Sequence, residues 1–519
     1  AVRYRRYHGT VQNYILKVTD FNSCGILKIV KMMSVFRDFG VARTCRKVTR
    51  TYRILSYVYQ KIRKDLTFVN NYGTHKHPFK KTIDTLKIDL PFISKEKRFI
   101  YPEHADVVII GGGHIGSAIA YALKTRAGEG LSVVILEKDI TFEQTKKKTS
   151  FGTLTQHFSL PENINLSMYG LDFMRNAKEH LGNDCDLQYM PTGSLVLASE
   201  KYAERLEENV KVLNEIGVKN KILSASDINN KFPWINTQDV KLGCMAVEAE
   251  GIFNSQALLN GLINKSQELG ATYINAEVIG FELEKQKDVL MEGVAPGTYE
   301  RITKVVYKTQ DNEEYSIKFA ICVLAAGSNS KHIAEYAKIG TGKDILEVKL
   351  PVEKRECNVY TIDGKAAETG LCTPMVMDTT GLWLMRNGLS DNLWCGHVPM
   401  MTDDTKSISE EDFFNNIIQP SLLNRVPNIK STEAGVVSSL TNTLDSKLIC
   451  MSKSITKYHM INERFPYERC SVTGCQHAPG LGRAISELII DSKYTTIDLT
   501  RFNFDRFLTM ESVVEFNIY

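Results

Sequence analysis

Hydrophobic and polar positions change rhythm several times along this chain. Residues 106–111, Asp-Val-Val-Ile-Ile-Gly, are a short unbroken apolar run, the pattern of a strand buried on both faces of a parallel sheet. Gly111, Gly112 and Gly113 interrupt it, and "HIGSAIAYALK" continues as a small-residue helix. "LSVVILEKD" is a second buried strand, ending at Glu137. Helical spacing predicts helices over Ile164 to Leu181, Lys201 to Ile216 and residues 254–271, with strands in "GSLVLAS", "KLGCMAVEAEGIFN" and "TYINAEVIGFEL". Residues 285–317, rich in charge and turns, read as a two-stranded excursion or a loop. "KFAICVLAAGSNS" resumes the buried-strand pattern. From Leu350 to about His397, alternating segments such as "CNVYTI" and "LWLMR" predict an antiparallel sheet. Near the C-terminus "QHAPGLGRAISELIIDSK" repeats the glycine-turn-to-helix theme, with its helix expected over Gly482 to Ile490.

The glycine turn points to a nucleotide. Gly111 suits the tight turn, Gly113 leaves backbone room for a pyrophosphate, and Gly116 lets helix and strand pack closely. The phosphates would meet the helix's unpaired amides and its positive end. Glu137, at the end of the second strand, is placed to accept hydrogen bonds from an adenosine ribose. That carboxylate does not separate FAD from NAD, since both carry adenosine diphosphate. Ala325-Ala326-Gly327, at a later strand end, lets backbone pass a cofactor without side-chain collision; a crowded sheet edge gives the same pattern. No second GxGxxG unit is present, so the sequence offers one dinucleotide turn of this kind.

Charge changes the picture at one end only. The 519 residues carry 64 Lys and Arg against 60 Asp and Glu, yet residues 1–64 hold 15 basic residues and two acids, Asp20 and Asp38. The rest is mildly acidic and carries no nucleic-acid footprint. Within the basic end, Met32 to Lys64 has nine basic residues, one acid, and apolar residues between them, which predicts a mitochondrial presequence; a basic arm shares that composition. No run approaches the roughly 20 apolar residues that span a bilayer, so any membrane attachment is expected to be peripheral. Eleven scattered cysteines without a Cys-x-x-Cys pair fit a reducing compartment, and no His, Cys and acid set has the spacing of a metal site.

Several ordered stretches, among them "VVIIGGGHIGSAIAYALK", "FSLPENINLSMYGLDFMRN", "KFPWINTQDVKLG", "EAEGIFN" and "QHAPGLGRAISELI", resemble the D-amino-acid oxidase, sarcosine oxidase and glycine oxidase family from about Leu90 to Tyr519. Within that family they are similar to a mitochondrial branch that assists assembly of respiratory complex I. The resemblance implies an α/β fold with a Rossmann-like FAD-binding domain and an antiparallel substrate-domain sheet. It implies noncovalent FAD, with Gly111, Gly113 and Gly116 at the pyrophosphate and Glu137 at the ribose. Gly152 to Gln156 would approach the flavin, Val278 would present backbone near adenine, and Ala326–Gly327 and Gly474 would line the returning turns. It also implies that Arg386 in "GLWLMRNG" holds the carboxylate of a small amine-bearing substrate. Complex I subunits or assembly intermediates become the expected partners, at the matrix or the matrix face of the inner membrane.

On this reading residues 1–64 are a targeting or extension segment and 65–104 a connector. Residues 105–160, 254–284, 318–335 and 471–495 form a discontinuous FAD-binding domain. Residues 161–253 and 336–470 form the cap, 285–317 the excursion and 496–519 a tail. The family pattern breaks at three places. Ser471-Val472-Thr473-Gly474 stands where relatives carry Ser-Gly-His-Gly, and the Trp-Ala-Gly-Tyr-Tyr segment upstream survives only in Ala434-Gly435 and Asn442-Thr443. Lys146, Lys147 and Lys148 also replace small residues near the first turn. These departures touch the catalytic end more than the nucleotide end.

Overall fold

Four parallel strands carry the first half of the architecture. His104–Ile110 lies between Val133–Glu137 and Glu314–Leu324, and Val133–Glu137 pairs in turn with the start of Thr272–Lys285. Val107, Val108, Ile109 and Ile110 are all buried, as expected for a strand covered on both faces. In this computed structural model the described residues are 101–142, 151–246, 250–285, 287, 297, 300–339, 355–397, 409–429, 436–444, 448–452, 458–461, 474–503 and 513. The basic segment Met32 to Lys64, the connector, Lys146 to Lys148 and Ser471 to Thr473 lie outside them.

Thr272–Lys285 changes partners along its length. Through Asn275 it pairs with Val133–Glu137; from Ala276 it pairs antiparallel with Glu300–Thr309, with register shifts between Val278 and Gly280 and between Glu282 and Leu283. Glu300–Thr309 then pairs with the beginning of Glu314–Leu324. The excursion is therefore a meander built on the nucleotide sheet, and the strand expected from Lys318 begins earlier, at Glu314. Leu448–Ser452 and Tyr458–Ile461 extend the same sheet.

Three helices pack on one face of it. His114–Ala127 brings Ile119 and Leu123 against Leu259 and Ile263 of Ser255–Glu268 and against Leu481, Ala484 and Ile485 of Gly474–Asp491. Each buried Leu or Ile side chain there contributes about 1.5–3 kcal/mol. Asn254 caps Ser255–Glu268 by accepting a hydrogen bond from the Ala257 amide at 3.0 Å.

The last helix starts at Gly474, well before the expected Gly482, and includes Pro479. Its glycines serve contact, not a turn. A Cβ on Gly480 would meet the Leu166 side chain at 2.9 Å, and one on Gly482 would meet the Ala118 carbonyl oxygen at 2.5 Å.

The cap is an eight-stranded sheet ordered Val436–Leu444, Arg355–Asp363, Asn392–His397, Leu382–Arg386, Met375–Met377, Ser194–Ala198, Leu242–Ala246 and Asn220–Ser224. Its pairings are antiparallel except between Met375–Met377 and Ser194–Ala198. A short ribbon, Phe151–Leu154 with Gly251–Asn254, reaches toward it, and Phe151 stacks on Trp394 with ring centroids 4.0 Å apart. Among the described residues no helix is long and apolar enough to cross a membrane.

Candidate functional site: a nucleotide cleft beneath the cap sheet

A cleft of about 390 Å³ opens at the carboxyl ends of the parallel strands. Its walls include Gly111, Gly113, Glu137, Val278, Ala326 and Gly327, six positions picked out by the sequence. This is where an open α/β sheet receives ligands.

Each glycine of the turn meets a different physical demand. Gly111 has φ +101°, and a Cβ there would run into Ala325, its carbonyl carbon standing 2.7 Å away. Gly116 lies against the Gly111 carbonyl, which leaves no room for a side chain. A Cβ on Gly113 meets nothing within 4 Å, so this position opens on free space. Gly113 is also the N-cap of His114–Ala127, without a side-chain cap and without an acid in the first turn. The helix's amides and positive end are left to an anion.

Glu137 closes the other side of the turn. One carboxylate oxygen accepts a hydrogen bond from the Gly112 amide at 2.6 Å, the other from the Asp139 amide at 2.9 Å. Burial raises its pKa, against the opposing pull of those two hydrogen bonds. Val278 lies just past the point where the long strand leaves its first partner for its second, and it lines the cleft. Gly327 has φ +56° just past the strand end.

The far end of the cleft is formed by the last helix. Gly474 is its first residue, and Cys475 lines the cavity. Gly152 is pressed between the Phe253 ring and Cys475, where a Cβ would lie 2.9 Å from the sulfur. Burial pushes the Cys475 thiol up to about 12, so a protonated thiol faces the cleft. Gln476 pairs with Thr155 through both ends of its amide, accepting from the Thr155 N–H at 2.8 Å and donating to its carbonyl at 3.2 Å. That clamp holds Gly152 to Gln156 against the helix start.

Three contributors escaped the sequence reading. Gln476 is one; nothing in its spacing announces the clamp. Glu250 is another: it is fully buried, accepts from the Gln156 N–H at 2.7 Å and from the Ser194 hydroxyl, and stands 3.8 Å from His157. It ties the cleft segment to the cap sheet, and only its place in "EAEGIFN" marked it. His114, directly after the glycines, hydrogen-bonds the Ser255 carbonyl through Nε2 at 2.8 Å. Burial lowers its pKa, which keeps the ring neutral and Nε2 the donor.

Arg386 does not line the cleft. It ends Leu382–Arg386, is 8% exposed, and donates through Nη1 to the Thr369 carbonyl at 2.5 Å and through Nη2 to Asp391 Oδ1 at 2.8 Å. Its strand is linked to the Gly152 segment through neighbours: Met385 pairs with Trp394, Trp394 stacks on Phe151, and Phe151 precedes Gly152. His397 is held to the Thr380 carbonyl at 2.7 Å, within the cap sheet.

The family model for FAD dependent oxidoreductases matches residues 106–488, which spans both the glycine turn and the last helix. The chain belongs to the FAD-dependent oxidoreductase family. This flavoprotein is 36% identical over 488 residues to the FAD-dependent oxidoreductase domain-containing protein 1 homolog of Drosophila melanogaster, covering 91% of this chain and 92% of that one. Its fold is similar to that of L-proline dehydrogenase from P. horikoshii, with a TM-score of 0.59, 19% identity, and coverage of 80% of this chain and all of that one. Glycine oxidase from Geobacillus kaustophilus follows with a TM-score of 0.55, 17% identity, and coverage of 77% and 98%.

The expected fold class and the cofactor are thereby established: an α/β flavoprotein with FAD. The residues present fit it. Free space at Gly113, an uncapped helix end and a carboxylate at the strand tip suit its adenosine diphosphate half. Bound FAD supplies a two-electron acceptor that the protein side chains lack.

Proposed function

We propose that this flavoprotein works in mitochondria, at the matrix or the matrix face of the inner membrane, in assembly of respiratory complex I. Oxidation of a small amino or N-methyl amino acid is its residual chemistry. One observation carries the reading: among the described residues the nucleotide cleft keeps its glycine turn and Glu137, while the arginine that would hold a substrate carboxylate is engaged by the chain's own Asp391. A protein built this way keeps its cofactor and its shape without needing fast turnover. The basic composition of Met32 to Lys64 supports import, and the resemblance noted above supports the partner.

Gly111, Gly113 and Gly116 hold the pyrophosphate in this reading, Glu137 the ribose, and Val278 the adenine edge. Gly152, Ala326, Gly327 and Gly474 give backbone access along the rest of the cofactor. The FAD is held noncovalently, in keeping with a protonated Cys475 thiol at the cleft. Pull-down of the full chain from gently extracted matrix and inner-membrane fractions should recover complex I subunits, and depletion should lower complex I. Recovery of none, with normal complex I after depletion, rejects the assembly role.

A second reading, a metabolic oxidase or dehydrogenase, is favoured by the fold neighbours, whose names place them on proline and glycine. Anaerobic mixing of FAD-loaded protein with amino acids and N-methyl amino acids separates the two. Rapid bleaching of the flavin by one of them favours this second reading.

A further inference from the structure

Arg386 is a nearly complete carboxylate site that already contains a carboxylate. Its guanidinium is buried between two loops of the cap, and each terminal nitrogen has a partner: Thr369 from the loop that follows Lys365–Ala367, and Asp391 from the turn between Leu382–Arg386 and Asn392–His397. Nε is the remaining donor. It is buried and makes no hydrogen bond. A buried donor left unsatisfied costs on the order of 1–3 kcal/mol, more when charged, so the site is under-filled in this arrangement.

The two partners differ in permanence. Thr369 is buried and offers a neutral carbonyl, whereas the Asp391 side chain is 59% exposed and sits on a turn whose Gly388 has φ +55°. Asp391 uses one oxygen on one nitrogen. A free carboxylate approaching side-on can take Nη2 and Nε together, the bidentate geometry that a single-oxygen contact does not reach.

We propose that Asp391 is an internal stand-in for the substrate carboxylate, a mask that an incoming carboxylate ligand must displace from Arg386. The proposal rests on the reading of Arg386 as the carboxylate-holding group. An intramolecular carboxylate competes at an effective concentration on the order of millimolar. The apparent affinity for an outside carboxylate is then reduced by the fraction of molecules in which the mask is open. The same device selects for ligands able to use Nε, and against anions that make only one contact.

The test is binding by the full-length, FAD-loaded chain, with anthranilate as the carboxylate probe and anthranilamide as the neutral control. Binding is followed by perturbation of the flavin spectrum and, independently, by calorimetry. Asp391→Ala should bind anthranilate about tenfold more tightly than the parent or better. Asp391→Asn, which keeps the turn and a weaker neutral contact, should fall between them. Anthranilamide binding should stay unchanged, and the gain should vanish in the Arg386→Ala, Asp391→Ala double variant. Equal anthranilate affinity in parent, Asp391→Ala and Asp391→Asn overturns the mask, as does a gain that persists without Arg386, or no binding by any of them. Since the readout is binding, tight anthranilate binding by Asp391→Ala without flavin reduction by any amino acid would uphold the mask while removing the residual-oxidase part of the proposed function.

Discussion

Gly116 lies directly against the carbonyl of Gly111, and a Cβ added there would stand 3.0 Å from the Gly111 carbonyl carbon and closer still to its oxygen. Gly113, three residues earlier, opens on empty space. The same motif therefore mixes a packing constraint with a binding constraint. Gly116→Val should destabilise the fold by about 3 kcal/mol or more, since backbone must move to admit the side chain. Gly113→Val should leave the apoprotein's melting temperature within a few degrees and weaken FAD binding at least about tenfold. Thermal melts of both apoproteins, followed by FAD titration, check the pair; similar losses of stability in both would refute the division.

Glu137 supplies a pH dependence. Burial raises its pKa, so the carboxylate takes up its proton at a higher pH than an ordinary glutamate. An ionised Glu137 accepts hydrogen bonds from both the turn and a ribose, and protonation removes acceptor capacity. FAD affinity should fall as pH drops through that raised value. Glu137→Gln should bind more weakly at neutral pH and lose the acid-side decline. Fluorescence titration of FAD release between pH 4.5 and 8 is the measurement.

Among the described residues Arg425 is the largest fully buried side chain. Its Nε donates to Asp378 at 2.5 Å, Nη2 donates to Asp239 at 2.9 Å, and Nη1 donates to the Asn236 carbonyl. Asp378 is itself fully buried. Arg425→Met strips that carboxylate of its counter-charge and should cost about 3–5 kcal/mol. Adding Asp378→Asn should recover part of the loss. Urea denaturation of the single and double variants decides whether the pair is coupled.

Glu487 ties the chain reversal after the last helix. Burial alone would raise its pKa, but hydrogen bonds from Thr496 and Thr495 bring it down to about 2. A depressed carboxylate stabilises the fold fully above its unfolded value and loses that contribution as pH falls through the folded one. Stability should therefore decline between about pH 4.5 and pH 2 by on the order of 2 kcal/mol from this group. Glu487→Gln should be less stable at pH 7 and show a flatter acid limb in denaturant melts.

Much of this was legible because buried parallel strands and amphipathic helices write their periods into the sequence. Val107 to Ile110 and Val133 to Leu136 announce themselves as strands covered on both faces, and the alternation around "LWLMR" announces the antiparallel cap. The start of the last helix is not legible in this way: Pro479, Gly480 and Gly482 read as a bend, yet the glycines are there so that Leu166 and Ala118 can approach. Spacing carries no record of which helix a glycine faces. Gln476 and Glu250 were invisible for a related reason, since their partners, Thr155, Gln156 and Ser194, lie far away in the chain. Arg386 was legible as a position but not as a geometry, because only the folded cap brings Thr369 and Asp391 to it.

The first strand's neighbour on one side, Glu314–Leu324, and the helix that packs against the helix after its glycine turn, Gly474–Asp491, come from much later in the polypeptide. A ribosome delivers the chain in order, so the glycine turn emerges before most of the residues that form its walls. Until then the strand His104–Ile110 has a bare edge, and long-range pairings of this kind close slowly and expose chains to aggregation. Partly synthesised chains should have no affinity for the nucleotide. Capture of FAD would then mark the completion of folding.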